Sequence, residues 1–197
     1  MANINLILAS SSPYRRELLA RLGLPFRSIS PEIDESAHPD ETPLTLSERL
    51  AREKALAVKE TEPDAVVIGS DQVCELEGRA LGKPGNFENA FKQLKDMSGK
   101  KAVFHTALCV IDREGNVQET VSDTVVELRN LSDEAIVDYL KREEPYNCAG
   151  SAKIEKLGIA LMKSVASDDP TSLVGLPLMR LTTMLVKAGV SPLKGLK

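Results

Sequence analysis

Short apolar runs alternate with amphipathic stretches over the first hundred residues. Residues 4–9 (INLILA) predict a buried strand. After a serine-rich turn, leucines at helical spacing predict a helix over 13–22, with Ser12 as its N-cap and Pro13 at its first position. Further along, the pattern predicts an extended segment at 26–29, a helix over about 45–60 with Thr45 and Glu48 in a capping box, a buried strand at 65–69 that 73–76 extend or pair with, and a helix over 87–97 capped by Asn86.

Alternation of apolar and polar residues dominates the middle of the chain. It predicts two long strands, 101–111 and 117–128, joined by a hairpin. Beyond them we expect a helix from a Ser132 cap to about Arg142, a short strand at 159–162 and a last helix over 178–187. No repeat or interdomain linker interrupts the pattern. Residues 1–197 are therefore predicted to form one α/β domain, in which a mixed sheet with flanking helices is arranged as two lobes around a central cleft.

Composition narrows the class of protein. The chain is 42% hydrophobic and 27% charged, as in ordinary globular proteins, and its net charge of −4 argues against binding to a nucleic acid polymer. No apolar run approaches the roughly 20 residues that cross a bilayer, and the first five residues lack a basic leader region, so we expect a cytoplasmic protein with no membrane partner. The three cysteines are widely spaced and are expected to be reduced thiols, and two histidines make a histidine-rich zinc site improbable.

The turn at residues 10–16 (SSSPYRR) combines features that suit an anion. Hydroxyl groups, free backbone N–H groups, a helix N-terminus and two guanidinium groups meet where a strand passes into a helix. A phosphate group would be bound well there. A capped helix that carries two surface arginines explains the same residues equally well.

Several carboxylates suggest a site for a divalent cation. Glu32, Asp34 and Glu35 lie in a proline-bounded loop, and Mg²⁺ prefers such oxygen ligands, although an acidic surface loop is the simpler alternative. Asp71 follows the apolar run 65–69 with only Ser70 between them, and a carboxylate at the end of a buried strand lies where α/β folds bind ligands. A turn-forming aspartate is the alternative for this residue.

Two lysines complete the set. Lys54 lies on the apolar side of its predicted helix, where it must reach solvent or an anion, and Lys83 is held between Gly82 and Pro84. Together with the serine-rich turn and the carboxylates, they predict a pocket for a triphosphate and magnesium. The GxxxxGK[ST], GxGxxG and GxSxG motifs are absent, which argues against P-loop, dinucleotide-binding and serine-hydrolase sites. His105 falls within an alternating strand and is interpreted as structural.

Six short motifs in order along the chain resemble those of the Maf family of nucleotide pyrophosphatases: 10–19 (SSSPYRRELL), 53–55 (EKA), 69–72 (GSDQ), 82–84 (GKP), 149–151 (AGS) and 174–177 (VGLP). The resemblance covers essentially the whole chain. It implies hydrolysis of a nucleoside triphosphate to the monophosphate and pyrophosphate with a divalent cation, Mg²⁺ or Mn²⁺. It also implies a fold related to the inosine-triphosphate pyrophosphatases, with the site in the cleft.

The resemblance also assigns roles to residues. Asp71 matches the proposed proton acceptor, and Glu35 and Asp71 match the expected metal ligands. The positions expected to hold the phosphates are Ser10, Arg15, Lys54 and Lys83. Whether Asp71 acts as a base or mainly as a ligand stays open.

Three positions bear on the substrate. Maf proteins that act on dTTP and UTP usually carry Arg, Thr and Gln where this chain has Tyr14, Gln72 and Glu155, and the residues found here resemble the subfamily that hydrolyses 7-methyl-GTP. An aromatic face and a carboxylate both favour the positively charged 7-methylguanine ring. A dTTP or UTP pyrophosphatase is the alternative, as is a nucleotide-binding regulator of cell division with little turnover. An aspartyl-phosphate phosphatase is less well supported, and a homodimer is an expectation from the size of the chain alone.

Overall fold

The computed structural model describes residues 5–196 of the chain. Its strands and α-helices follow one another in this order: β1 (Leu6–Ala9), α1 (Pro13–Ala20), β2 (Arg27–Ile29), α2 (Pro43–Thr61), β3 (Val66–Leu76), β4 (Arg79–Leu81), α3 (Phe87–Met97), β5 (Lys101–Ile111), β6 (Val117–Leu128), α4 (Asp133–Glu143), β7 (Met162–Ser167) and α5 (Leu178–Lys187). Short 3₁₀ helices span Ala149–Ser151, Leu157–Leu161 and Ser172–Val174. None of the described helices is both long and apolar enough to cross a membrane.

All seven strands belong to one mixed sheet of order β2-β1-β3-β5-β6-β7, with β4 paired to the far end of β3. Strand β1 runs parallel to β2 and β3, whereas β3, β5, β6 and β7 are antiparallel neighbours. On the β1 side, β3 is paired to β1 only as far as Gly69, and its pairing with β4 begins at Cys74. The edge of β3 between these residues therefore has no strand beside it, and this gap in the sheet becomes important below.

Helices cover both faces of the sheet, as its alternating side chains require. Helices α1 and α5 pack on one face against Leu8 and Ile68, and α2 packs on the other face against Val67. Beyond the gap, α3 and α4 enclose a further core around Phe104. The predicted α/β fold, with a mixed sheet and flanking helices, is confirmed, while the domain boundaries 1–197 stay a prediction.

Helix α2 approaches β3 very closely at Gly69. A Cβ atom on this residue would lie 2.1 Å from the backbone oxygen of Ala51 and 2.8 Å from the backbone nitrogen of Ala55. Only glycine fits between the helix and the strand at this point. The contact brings the helix face that carries Lys54 directly over the β3 edge.

Many predicted elements match the structure closely, including the helices 87–97 and 178–187 and the strands 101–111 and 117–128. The predicted first strand also matches, although its residue 4 lies outside the described residues.

Three predictions were wrong in detail. Residues 73–76 do extend the strand 65–69, as one of the two predicted alternatives, but the strand is continuous, so the prediction that Asp71 lies at a strand end is wrong and this residue lies in the middle of β3. Helix α2 begins at Pro43 and is capped by Thr42 together with Thr45, because a proline suits the first helical position. The apolar residues 159–161 form a 3₁₀ turn before β7, since a short apolar run does not distinguish a strand from a turn of helix.

Candidate active site

The serine-rich turn lies where β1 stops. The Ser10 amide donates to the carbonyl oxygen of Leu8 at 2.9 Å, and the Ser10 hydroxyl accepts from the amide of Ser12 at 3.1 Å. The Ser12 side chain caps α1, as predicted, by accepting from the backbone nitrogen of Arg15 at 3.4 Å. The turn therefore directs hydroxyl groups and a helix N-terminus toward the gap beside β3, which is an arrangement that favours an anion.

Arg15 reaches across the gap to the segment before α5. Its Nε donates to the carbonyl oxygen of Gly175 at 2.9 Å, and Ser70 Oγ donates to the same oxygen at 3.2 Å. Gly175 adopts φ +116°, a conformation that favours glycine. Burial lowers the pKa of the Arg15 guanidinium, and the charges of Asp71 and Glu35 oppose that change. The guanidinium stays a cation, held at one nitrogen and facing the cleft.

Lys54 joins the two candidate metal ligands. Its Nζ donates to Oδ1 of Asp71 at 2.6 Å and lies 2.7 Å from Oε1 of Glu35. Lys54 and Asp71 are only 5% and 7% exposed, so this charged group is enclosed by α2 and β3. Burial opposes the ionisation of Glu35, but the hydrogen bond and charge of Lys54 outweigh it, and the pKa of Glu35 is lowered. Lys54 lies on an apolar helix face, where its charge needs a partner, and the two carboxylates provide it.

The pair Asp71 and Glu35 has the chemistry of a divalent cation site. Both carboxylates converge on one position that a positive charge already occupies, and carboxylate oxygens are the ligands that Mg²⁺ prefers. Within residues 5–196, no group of three or more His, Cys, Asp or Glu side chains is placed to hold a metal ion. A bound Mg²⁺ would therefore take its remaining ligands from water and substrate, as is usual for this ion.

The other charged residues of the predicted set divide into two groups. Lys83, on the exposed segment between β4 and α3, faces the same carboxylate, with its Nζ 4.0 Å from Oε2 of Glu35. Asp34 instead accepts from the amide of Ser36 at 2.9 Å, and neither it nor Glu32 lines the cleft. Of the three acidic loop residues, only Glu35 belongs to the site.

A cleft of about 570 Å³ opens at the gap in the sheet. It brings together all nine residues predicted for the site, from six separate parts of the chain: Ser10, Tyr14, Arg15, Glu35, Lys54, Asp71, Gln72, Lys83 and Glu155. A volume of this size is typical of a site for a small organic ligand.

One end of the cleft holds an aromatic ring and a carboxylate. Burial raises the pKa of the half-buried Tyr14, as do the neighbouring Cys148 and Glu155. Burial and the charge of Glu155 likewise raise the pKa of the Cys148 thiol. Glu155 itself is exposed and lines the cleft, so this end offers a ring face with negative charge beside it.

The family model described as Maf-like protein matches residues 5–188. The chain belongs to this family. It is 54% identical over 192 residues to a Bordetella pertussis protein named 7-methyl-GTP pyrophosphatase, and the aligned region covers 96% of this chain and 95% of the relative. It is 56% identical over 189 residues to a Thiobacillus denitrificans protein of the same name, covering 95% and 94%.

The Maf-like chain also shares its fold with a solved structure. A HAM1 protein from Coxiella burnetii aligns with a TM-score of 0.53 at 19% identity, covering 93% of this chain and 99% of that chain. At this identity the likeness is one of architecture. The shared architecture agrees with the predicted fold, which was expected to be related to that of the inosine-triphosphate pyrophosphatases.

The sequence did not indicate that Arg49 helps to hold the site of this Maf-like protein in place. Arg49 binds Glu41 through two nitrogens, at 2.7 and 2.9 Å, and donates to the carbonyl oxygen of Ser36 at 2.9 Å. It thereby fastens the loop that carries Glu35 to α2. No local motif in the sequence marks this contact, because the loop could reach the helix in many ways.

The prediction for His105 is confirmed. Its Nδ1 lies 2.8 Å from Oδ1 of Asp123 and its Nε2 lies 2.9 Å from Oε2 of Glu75, so both ring nitrogens are engaged in joining three strands. His105 does not line the cleft. It is a structural residue of the sheet.

Proposed function

We propose that this chain hydrolyses 7-methyl-GTP to 7-methyl-GMP and pyrophosphate, with a divalent cation. The observation that carries the proposal is the contact of one buried lysine, Lys54, with two carboxylates, Asp71 and Glu35, in a cleft that also holds Arg15. Positive and negative groups this close together suit a ligand that brings its own negative charge and a metal ion. The relatives named 7-methyl-GTP pyrophosphatase support the choice of substrate.

The chain's own residues provide the binding of the triphosphate. The hydroxyl groups and amides of the 10–12 turn, at the N-terminus of α1, bind phosphate oxygens. Arg15 and Lys83 neutralise charge on the phosphates, and Lys54 can transfer its hydrogen bonds from the carboxylates to a phosphate oxygen. A divalent cation held by Glu35 and Asp71 would polarise the α-phosphate and stabilise the leaving pyrophosphate.

Asp71 has the geometry for a proton acceptor. Its Oδ1 is bonded to Lys54, and no described residue donates to its Oδ2. In the proposed step, the oxygen of a water molecule attacks the α-phosphorus, and the bond from that phosphorus to the bridging oxygen of the β-phosphate breaks. The proton lost from the water passes to Asp71, and the bridging oxygen leaves as part of pyrophosphate.

The other end of the cleft suits the base. Tyr14 offers a ring on which a purine can stack, and the carboxylate of Glu155 lies near it. Because 7-methylguanine carries a positive charge, both groups bind it more strongly than they bind neutral guanine. Selectivity is therefore expected to come from charge as well as from shape.

The test is a panel of nucleotides at equal concentration with Mg²⁺, in which pyrophosphate and orthophosphate are measured separately. The panel contains 7-methyl-GTP, GTP, dTTP, UTP and CTP. We expect pyrophosphate mainly from 7-methyl-GTP, and a loss of the preference over GTP in Glu155→Gln, which keeps the shape of the side chain and removes its charge. Preference for dTTP or UTP would contradict the proposed substrate, and tight binding of a nucleotide without turnover would contradict the proposed hydrolysis.

A further inference from the structure

The amide nitrogen of Gln72 is surrounded by hydrogen-bond acceptors. Its Nε2 donates to Oγ1 of Thr106 at 3.0 Å, to the carbonyl oxygen of Ser172 at 3.0 Å and to that of Leu173 at 3.2 Å. Gln72 and Thr106 are register partners on β3 and β5, and Ser172 and Leu173 lie in the 3₁₀ turn that packs over them. The contact thus joins two strands to the segment before α5.

Thr106 and the two carbonyl oxygens together decide which atom of the amide can lie there. The Thr106 hydroxyl donates to the carbonyl oxygen of Ser172 at 3.0 Å, so its single hydrogen is used and it can only accept from Gln72. The two backbone carbonyls also only accept. An amide oxygen in this position would face three acceptors without a hydrogen, so the amide nitrogen is fixed inward.

The opposite atom follows from this arrangement. Gln72 is half-buried and lines the cleft, and no described residue donates a hydrogen bond to its Oε1. Since Nε2 and Oε1 are the two polar atoms on one planar carbon, anchoring the nitrogen leaves the oxygen as the amide atom available to the cleft. The residue next to Asp71 therefore offers an acceptor to the ligand.

We propose that Thr106 is a positioning residue that, with the carbonyl oxygens of Ser172 and Leu173, fixes the polarity of the Gln72 amide, so that the cleft selects a base whose edge donates N–H groups. This inference rests on the proposed nucleotide substrate. Guanine and 7-methylguanine present N–H donors on one edge, whereas the matching ring nitrogen of adenine is an acceptor. If the amide group could rotate by 180°, it would bind both a base with an N–H donor and a base with an acceptor at this position.

The anchor is built to hold one orientation. Thr106 and Ser172 are completely buried. The Ser172 hydroxyl lies 2.6 Å from that of Ser122, which in turn donates to Asp168 at 3.1 Å. The acceptors around Nε2 are therefore fixed by a connected network and do not turn with the ligand.

The test uses Thr106→Val, which keeps the shape and removes the hydroxyl, with Thr106→Ser as the matched control. We expect Thr106→Val to lower the ratio of kcat/KM for GTP over ATP by up to about tenfold, because one of the three acceptors that hold the amide nitrogen inward is lost. The change should appear in KM while kcat for 7-methyl-GTP stays within about twofold. Inhibition by inorganic tripolyphosphate, which has no base, should not change. Equal losses for GTP and ATP, or a changed tripolyphosphate affinity, would indicate a merely structural role and overturn the proposal.

A second readout does not depend on turnover. The side-chain amide protons of Gln72, assigned by their loss in Gln72→Glu, should exchange slowly with solvent in the wild type and in Thr106→Ser, and faster in Thr106→Val. Rapid exchange in the wild type would overturn the proposal. If the wild type hydrolyses none of the purine nucleotides, the proposed function fails, while the exchange measurement still decides the role of Thr106.

Discussion

The ammonium group of Lys54 lies 2.6 Å from Oδ1 of Asp71, and the two side chains close the floor of the cleft between α2 and β3. In the free protein this contact neutralises a buried carboxylate. With a nucleotide and a divalent cation bound, both partners would have alternatives: the carboxylate a metal ion, and the ammonium a phosphate oxygen. Each side chain thus compensates the charge of the other until a phosphate and a cation provide other partners.

The first prediction concerns Asp71→Asn. Asparagine keeps the size of the side chain and an oxygen for Lys54, but it cannot accept a proton. We expect kcat to fall by about 10²–10⁴, the range typical of a lost general base. Binding of 7-methyl-GTP, measured by calorimetry without added metal, should stay within a few-fold of wild type. Turnover that survives this change would show that Asp71 is not the proton acceptor.

The second prediction concerns Lys54→Met. Removing the ammonium leaves Asp71 and Glu35 facing each other without a counter-charge, and we expect the free energy of unfolding to fall by about 1–3 kcal/mol, since Glu35 is partly solvated. Added Mg²⁺ should then raise Tm more in the variant than in the wild type, because the cation replaces the missing charge. Thermal unfolding with and without Mg²⁺ measures both effects. An equal Mg²⁺ response in the two proteins would show that the carboxylates do not share a cation.

The geometry of the serine-rich turn could be predicted from the sequence because it is local. An apolar strand, a serine cap, a proline and two arginines lie within a dozen residues, and their order specifies the turn. The contact of Lys54 with carboxylates could also be predicted from the sequence, since a lysine on an apolar helix face needs an anion nearby.

The position of Asp71 within its strand could not be predicted in the same way. Asp71 lies at the site because β1 ends opposite Gly69 while β3 continues to Leu76. That offset depends on the register of strands distant in sequence. The same holds for Thr106, which is opposite Gln72 through the register of β5. Apolar periodicity shows that strands exist but not where each ends relative to its neighbours.

The third prediction concerns Arg49→Met. Arg49 holds Glu41 and the carbonyl oxygen of Ser36, and so fixes the loop that carries Glu35. We expect a loss of stability on the order of 2 kcal/mol, as hydrogen bonds between charged groups are removed. The Mg²⁺ concentration needed for half-maximal pyrophosphate release should also rise.

Arg52→Met is the matched control, because Arg52 lies on the same helix and pairs with Glu119 in a more exposed position. The Arg52→Met substitution should lower the free energy of unfolding by less than about 1 kcal/mol and leave the Mg²⁺ requirement unchanged. Equal effects of the two substitutions would contradict the special role of Arg49.

The fourth prediction concerns acid stability. The hydrogen bonds from Arg49 lower the pKa of Glu41 from 4.5 to about 2. A carboxyl group whose pKa is lower in the folded than in the unfolded protein contributes stability above pH 4.5, and this contribution is lost as the pH falls toward 2. The wild type should therefore be more stable than Glu41→Gln at pH 6, and the difference should shrink steadily by pH 2. Urea unfolding at several pH values measures it, and a constant difference would contradict the prediction.

The last prediction concerns Gly69→Ala, which tests whether the approach of α2 to β3 sets the floor of the site. The added Cβ would lie 2.1 Å from the backbone oxygen of Ala51, and neither strand nor helix backbone can yield without moving Lys54 away from Asp71. We expect a loss of more than about 3 kcal/mol in unfolding free energy, at the high end for single substitutions. In Gly82→Ala the new Cβ would meet no atom within 4 Å, so that control should change stability by less than about 0.5 kcal/mol. A mild effect of Gly69→Ala on stability, with pyrophosphate release intact, would show that α2 can shift on the sheet while Lys54 keeps its carboxylates.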